Sequence, residues 1–179
     1  MPSPTQSDGR KSGGDLTKSG RASARLDDAV SDLMADHRKV EHLFKQYEKA
    51  KEDPAKKQQL FAQIALELKV HTTIEEEIFY PASREFVEED MVNEAVVEHQ
   101  AAKDLIAQLE AMAPEDEMYD AKVKVLQEQI EHHVEEEESE YFPECRRSDM
   151  DLKAIAEPLK ARKSELMGQM DGARGSARR

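Results

Sequence analysis

The chain has 179 residues, of which 36% are charged, with few aromatics (Phe 5, Tyr 4, Trp 0), Gly 7 and a net charge of −13; this suits one domain with a buried core and favours long amphipathic helices over strands. The first 25 residues carry +3 and the last 12 carry +2, so residues 26–167 hold −18, which argues against nucleic acid as the main partner because phosphate binding needs a basic surface. The single cysteine, Cys145, excludes a disulfide framework, a CxxC pair and a cysteine-rich zinc site within one chain, and the lack of an apolar run near ~20 residues or of a signal-peptide core sets the expectation of a cytoplasmic protein with no membrane contact.

In chain order, residues 1–25 are rich in Ser, Gly, Lys and Arg and are expected to form a disordered basic tail. A first helical stripe follows: Val30, Leu33, His37, Val40, Phe44 and Tyr47, at steps of three and four. Asp53 and Pro54 supply an N-cap and a first-turn proline for a second helix, whose inner stripe is Leu60, Ile64, Leu68, His71, Glu75 and Ile78, with Pro81 as its stop. The third stripe is Val92, Val96, His99, Ala102, Ile106 and Leu109. Pro114 is expected to start the fourth helix, with Val123, Leu126, Ile130, His133 and Glu137 facing inward until Pro143. Residues 148–168 carry a weaker pattern interrupted by Pro158, expected as a kinked or split fifth helix on the outside. The predicted architecture is all-α: an up-down-up-down four-helix bundle over residues 26–169, with an extra C-terminal helix and a second basic tail at 170–179.

The two halves of this pattern repeat. HTTIEEEIFYP at 71–81 returns as HVEEEESEYFP at 133–143, and the acid-His pairs Asp36-His37 and Glu98-His99 each stand 34 residues ahead of the next stripe histidine. His71 and Glu75, like His133 and Glu137, are one helical turn apart and share a face. Four histidines and two glutamates on apolar stripes need a counter-charge, because buried carboxylates are costly unless paired or coordinated. Too few lysines or arginines lie on those stripes to supply it. The candidate metal ligands are therefore His37, His71, Glu75, His99, His133 and Glu137.

Neighbouring polar residues sort by position on the stripe. His132 is about 100° off its face and His42 lies well off its own, so both are expected to be solvent-side. Glu41 has the ligand spacing from His37, but its counterpart in the repeat is Lys103; the two are expected near the site, paired with each other. Glu67 and Gln129, one turn before His71 and His133, are candidates for the hydrogen bonds that orient metal-bound imidazoles. Glu76, Glu77, Glu135, Glu136, Glu138 and Glu140 are expected on solvated faces, and Tyr47, Tyr80 and Tyr141 as packing residues.

Nitrogen and carboxylate donors without thiolate suit iron or manganese, with zinc less favoured. If Glu75 and Glu137 bridge, each of two ions receives two histidines and two carboxylate oxygens, and positions stay open for a small ligand. The elements D-H37, H71-TTI-E75-E, E-H99 and H133-VEE-E137-E, closed by YP and FP, resemble the hemerythrin-like, HHE cation-binding domain family over about residues 27–167. That resemblance implies a four-helix bundle around a non-haem di-iron centre, with those six residues as ligands and an oxo or hydroxo bridge. Oxygen-carrying members have a further histidine where this chain has Lys103, so the resemblance implies iron handling, peroxide breakdown or a nitric oxide response rather than reversible oxygen carriage. The expected partners are a small oxidant (dioxygen, peroxide or nitric oxide) and an electron donor; the competing expectation is an iron or oxygen sensor without turnover. The Glu-x-x-His pair of ferritin-like di-iron proteins and the HExxH of zinc peptidases are both absent.

Overall fold

The computed structural model describes residues 27–50 and 52–177, with side chains through residue 170; the N-terminal tail expectation lies outside the described residues. Helix α1 (Ala29–Lys49) begins at Asp28, whose carboxylate accepts from the Ser31 N–H, and α2 (Pro54–Ile74) begins at Asp53, which accepts from Lys56 with Pro54 in the first turn. Each cap satisfies one of the donors that a helix start leaves open. Helix α4 (Glu89–Glu110) and helix α5 (Tyr119–Glu136) complete the bundle.

Neither Pro81 nor Pro143 stops its helix. After Ile74 the chain widens into a π turn, Glu75–Phe79, and runs on as the short α3 (Tyr80–Ser83); after Glu136 it does the same through Glu137–Tyr141 into α6 (Phe142–Arg147). The Tyr80 N–H reaches back five residues to the Glu75 carbonyl and the Phe142 N–H to that of Glu137. A proline has no N–H and crowds the carbonyl four residues back; the wider turn just before it accommodates both defects. Each π turn therefore starts on a ligand-type glutamate.

The stripes are buried as their spacing predicts, with three adjustments: past Glu75 the π turn carries Phe79 into the core and leaves Ile78 only partly buried. Val96 is 37% exposed and Ala95 takes the inward position instead. Helix α5 starts at Tyr119 rather than Pro114, because Asp116 ties residues 113–116 into a turn by accepting from the Ala113 N–H. The apolar core forms two clusters, one around Leu33, Ile74, Phe79, Val92 and Phe142, the other around Phe44, Leu60, Ile64, Ile106 and Leu126. The histidines and glutamates of the repeat form the polar layer between them.

Helix α7 (Leu152–Ala177) packs on α1 and α2, burying Ala156, Leu159 and Leu166. Pro158 neither splits nor ends it: Pro158 and Ala154 both lie on the exposed face, where water can satisfy the freed carbonyl. The helix also runs beyond residue 170, since no later proline ends it. Among the described residues no helix is long and apolar enough to cross a membrane.

At the far end of the bundle the buried Lys57 donates to the Pro114 carbonyl at 2.8 Å and to Asp120 at 3.0 Å, and Tyr47 donates to the same carboxylate at 2.7 Å. Lys57→Met is expected to cost roughly 1–3 kcal/mol, because both acceptors lose a charged donor. Denaturant unfolding checks the cost. Metal content should not change, since Lys57 lies about four helical turns from His71.

Candidate metal centre

Each bundle helix carries one histidine into the polar layer, and all four are at least 95% buried: His37 (4% exposed), His71 (5%), His99 (1%) and His133 (3%). All four present Nε2 inward, in two pairs. His37 and His71 approach to 3.0 Å and His99 and His133 to 3.1 Å. Each pair comes from one hairpin, α1 with α2 and α4 with α5.

The glutamates join the pairs. Glu75 Oε2 lies 3.1 Å from His71 Nε2 and 3.4 Å from His99 Nε2; Glu137 Oε2 lies 3.3 Å from His37 Nε2 and 3.5 Å from His133 Nε2. Donors at ~2.0–2.2 Å from one ion and at right angles around it stand ~3 Å apart. The spacings are thus those of ligand atoms around a common cation. His37, His71, Glu75 and Glu137 converge as one group able to hold an ion, and Glu75, His99 and His133 as a second. The six residues singled out in the sequence are brought together, and the structure adds which histidines share a group.

Both oxygens of Glu75 and Oε2 of Glu137 are buried without a hydrogen-bond donor. Such atoms are costly unless something positive meets them. Without metal, His71, His99 and His37 are the groups drawn toward protonation by these carboxylates. Burial alone would push His71 down, but the carboxylates of Glu75, Asp36 and Glu137 outweigh it and raise its pKa to about 10. For His99 the balance of burial against Glu75 and Glu76 gives about 9, and His37 moves up likewise beside Glu137 and Glu138. A metal pair would meet the same carboxylates with the histidines neutral.

Outside this layer, carboxylates hold three of the four Nδ1 atoms, and that of His71 is buried without a hydrogen-bond partner. His37 bonds Glu138 at 2.9 Å, His99 bonds Glu76 at 3.0 Å and His133 bonds Glu98 at 2.8 Å. Asp36 stands 3.6 Å from His71 Nδ1 and is itself held by Lys163 of α7. Contacts of this kind set the ring orientation and the tautomer that exposes Nε2. The histidine bond holds Glu138, Glu76 and Glu98 below the usual carboxylate range in each case.

Glu76 and Glu138 are therefore not solvated faces but partners of His99 and His37. Glu67 instead bonds Lys39 at 2.6 Å, and Gln129 is exposed. Glu41 pairs with Arg38 and Lys45 rather than Lys103, whose ammonium donates to both oxygens of Glu76 at 2.6 Å. His132 is 63% exposed at its side chain, and His42 is exposed. Tyr141 bonds Ser83 at 2.6 Å, whereas the Tyr80 hydroxyl enters the centre, donating to Glu137 Oε1 at 2.9 Å.

Three comparisons bear on this geometry. A curated protein named DNA nickase, from Nostoc sp. (strain PCC 7120 / SAG 25.82 / UTEX 2576), is 32% identical over 155 residues, covering 85% of this chain and 44% of that protein; the chain thus spans less than half of its relative. The crystal structure of a hemerythrin HHE cation binding domain-containing protein from Mycobacterium kansasii superposes with a TM-score of 0.69 at 24% identity, covering 79% of this chain and 88% of that one, and shows the same fold. The hemerythrin HHE cation binding domain family matches residues 28–145, a span that opens at the Asp28 cap of α1 and contains every histidine and glutamate of the polar layer, and the chain belongs to that family.

Proposed function

We propose that the chain holds two iron ions and binds or reacts with a small oxidant: dioxygen, peroxide or nitric oxide. The observation that carries this reading is the position of Glu75 and Glu137, each with one oxygen at ligand-edge distance from a histidine of both pairs. Four imidazoles and two carboxylates, with no thiolate among them, suit iron better than zinc, with manganese next. Two ferrous ions side by side supply two electrons to a bound oxidant.

The residues around the ligands support that chemistry. Val40, Leu68, Ile130 and Val134 close one side of the four histidines around a space of about 10 Å³, which limits water there. Beside it a groove of about 300 Å³ reaches His37 between Phe44, Ile130 and Val134, with Arg38, Glu41 and Glu138 among its rim residues. Its apolar floor suits passage of a small uncharged molecule. Lys103, held by Glu76, acts on His99 through that carboxylate rather than facing a ligand.

A sensor is the second reading, favoured by one contact: Lys163 of α7 holds Asp36 beside His71, so that the outer helix touches the centre's surroundings. Strand cleavage, suggested by the Nostoc relative's name, fits less well, because residues 26–167 carry −18 and would repel a phosphate backbone. We therefore assign no nucleic-acid partner, and an electron donor remains part of the proposal.

The test is metal content and the absorption spectrum of protein loaded with ferrous iron and oxidised in air, before and after peroxide. About two irons per chain with near-ultraviolet oxo-to-iron bands is the expected result, and oxygen evolution from peroxide selects turnover. Iron-dependent protection from proteolysis without turnover selects the sensor. Zinc alone, or no metal after anaerobic ferrous reconstitution, would sink the redox reading.

A further inference from the structure

The two halves of the chain correspond at an offset of 62 positions, but their outer faces are treated differently. On the first half α7 covers the face. Val70 and Ile74 are buried in one cluster with Leu159, Lys163 meets Asp36, and Lys160 stands 3.5 Å from Asp32. On the second half the equivalent face is open: His132 stands in place of Val70, Glu136 of Ile74 and Glu140 of Ile78, while Glu94 and Glu98 replace Asp32 and Asp36. The His132 side chain is 63% exposed and that of Glu136 41%, and Glu94 and Glu140 are exposed. Among the described residues no lysine or arginine pairs with any of these four carboxylates. Exposure explains why these positions are polar, but not why their donors converge.

Glu98, His132 and Glu136 offer one donor atom each, all within 4.8 Å of one another. His132 Nε2 lies 3.3 Å from Glu136 Oε1 and 3.8 Å from Glu98 Oε1. Two donors ~2.0–2.2 Å from one ion stand ~3 Å apart at right angles and ~4 Å apart when opposite, so both spacings suit a single cation. His132 and Glu136 are one turn apart on α5, and Glu98 reaches them from α4. Beside this group a cleft of about 60 Å³ runs between Glu94, Glu98, Glu136 and Glu140 and reaches His133 and Glu137. Glu137 is 2% exposed, and its Oε2 has no hydrogen-bond partner. Glu98 belongs to both places, since its Oε1 faces His132 and its Oε2 holds His133 Nδ1 at 2.8 Å.

We propose that Glu98, His132 and Glu136 form a further divalent-cation site outside the buried centre, and that ferrous iron enters the centre through it and the acidic cleft beside it. Carboxylate and imidazole donors without thiolate suit ferrous iron, manganese or zinc. An ion held by three side chains on an open face keeps water ligands and exchanges readily, which a transit site requires. Carboxylates of one sign around a cleft raise the local concentration of cations and speed their arrival. The separate groove at His37, with its apolar floor and Arg38 on its rim, offers cations no such attraction. Metal and oxidant therefore reach the centre by different routes.

This inference rests on the di-iron reading, and its test separates the two. The full chain is compared as wild type, as the double variant His132→Gln with Glu136→Gln, and as Glu117→Gln, which removes an exposed charge at the far end of the bundle. In the first measurement the centre is filled with iron and oxidised, and manganese(II) is titrated in and counted by electron paramagnetic resonance. Wild type and Glu117→Gln are expected to bind one manganese per chain more than the double variant. In the second, metal-free protein is mixed with ferrous iron in air and the growth of the near-ultraviolet bands is timed. The double variant is expected to reach the wild-type iron content and spectrum about tenfold more slowly, the low end of what a charged cleft adds to an on-rate, while Glu117→Gln keeps the wild-type rate. Full iron loading at one rate in wild type and double variant, or equal manganese binding by both, would overturn the inference and leave the di-iron reading standing. Equal slowing in Glu117→Gln would overturn it too, since the effect would then be one of net charge. A double variant that never reaches the wild-type iron content would place these residues in the support of the centre itself and also count against a route. No iron in any of the proteins would remove the di-iron reading and the route with it, and the manganese count on the metal-free chains would then decide the surface site alone.

Discussion

Stripping the metal from the loaded protein with a chelator is expected to lower the thermal unfolding midpoint, and to lower it further as pH rises. Ions bound a thousandfold above their dissociation constant stabilise the native state by about 4 kcal/mol. For a domain of this size each kcal/mol moves the midpoint by ~2–4 °C, so the expected drop is about 8–16 °C. The pH dependence follows from what replaces the metal. In the metal-free chain His71 rises to about 10 and His99 to about 9, lifted by Glu75 with Asp36 and Glu76 against the opposing effect of burial. The unfolded chain has ordinary histidines, near 6.5. The folded metal-free chain therefore binds more protons than the unfolded one above about pH 6.5, and the stabilisation this brings, complete below that value, is lost as pH rises through about 9–10. Metal binding runs the other way, because it needs neutral imidazoles and releases those protons. The gap between loaded and stripped protein should widen between about pH 6.5 and 9. Calorimetry of both forms across that window checks it; a gap that stays constant or narrows would mean that the imidazoles are neutral without metal.

The bundle and the six inner residues were legible because a turn of helix is a fixed length. His-x3-Glu puts two donors on one face whatever else the helix does, and the repeat excluded His132 and His42 through a failure to match the stripes. The outer carboxylates were missed for a geometric reason. Glu76 follows Glu75, and Glu138 follows Glu137, so on their own helices they point away from the stripe. Their partners are histidines of other helices, His99 on α4 and His37 on α1, and no single-helix periodicity reports a neighbour's ring. A signal was present: the pairs Glu76/Glu138 and Asp36/Glu98 recur at the same offset as the six inner residues. The π turns were hidden too, since a widened turn changes the phase of the stripe only after Glu75 and Glu137, where just a few residues remain. Val96 and Pro114 erred more simply: α4 turned Ala95 inward, and the Asp116 turn delayed α5.

Glu75→Gln should have the largest effect of any conservative change in the centre, and comparison with Glu138→Gln shows why. Glu75 is fully buried, and its Oε2 stands within reach of a histidine in each pair. An amide of the same shape keeps the packing but removes the charge that both groups share, and it turns an N–H₂, which cannot ligate, toward atoms whose lone pairs a metal would need. Metal content is expected to fall from about two to below one per chain at metal concentrations that saturate the wild type. Glu138 is less buried and touches only the outer nitrogen of His37, at 2.9 Å. Its replacement by glutamine leaves every inner donor in place and weakens one ring's orientation, a change worth about 10–100-fold in affinity. Glu138→Gln should therefore load fully when metal is raised, whereas Glu75→Gln should not. Atomic absorption on both variants across a metal titration makes the comparison. Full loading of Glu75→Gln would show that the two groups bind independently, each without the carboxylate that joins them. Failure of Glu138→Gln to load at any concentration would move Glu138 from orienting His37 to holding the metal itself.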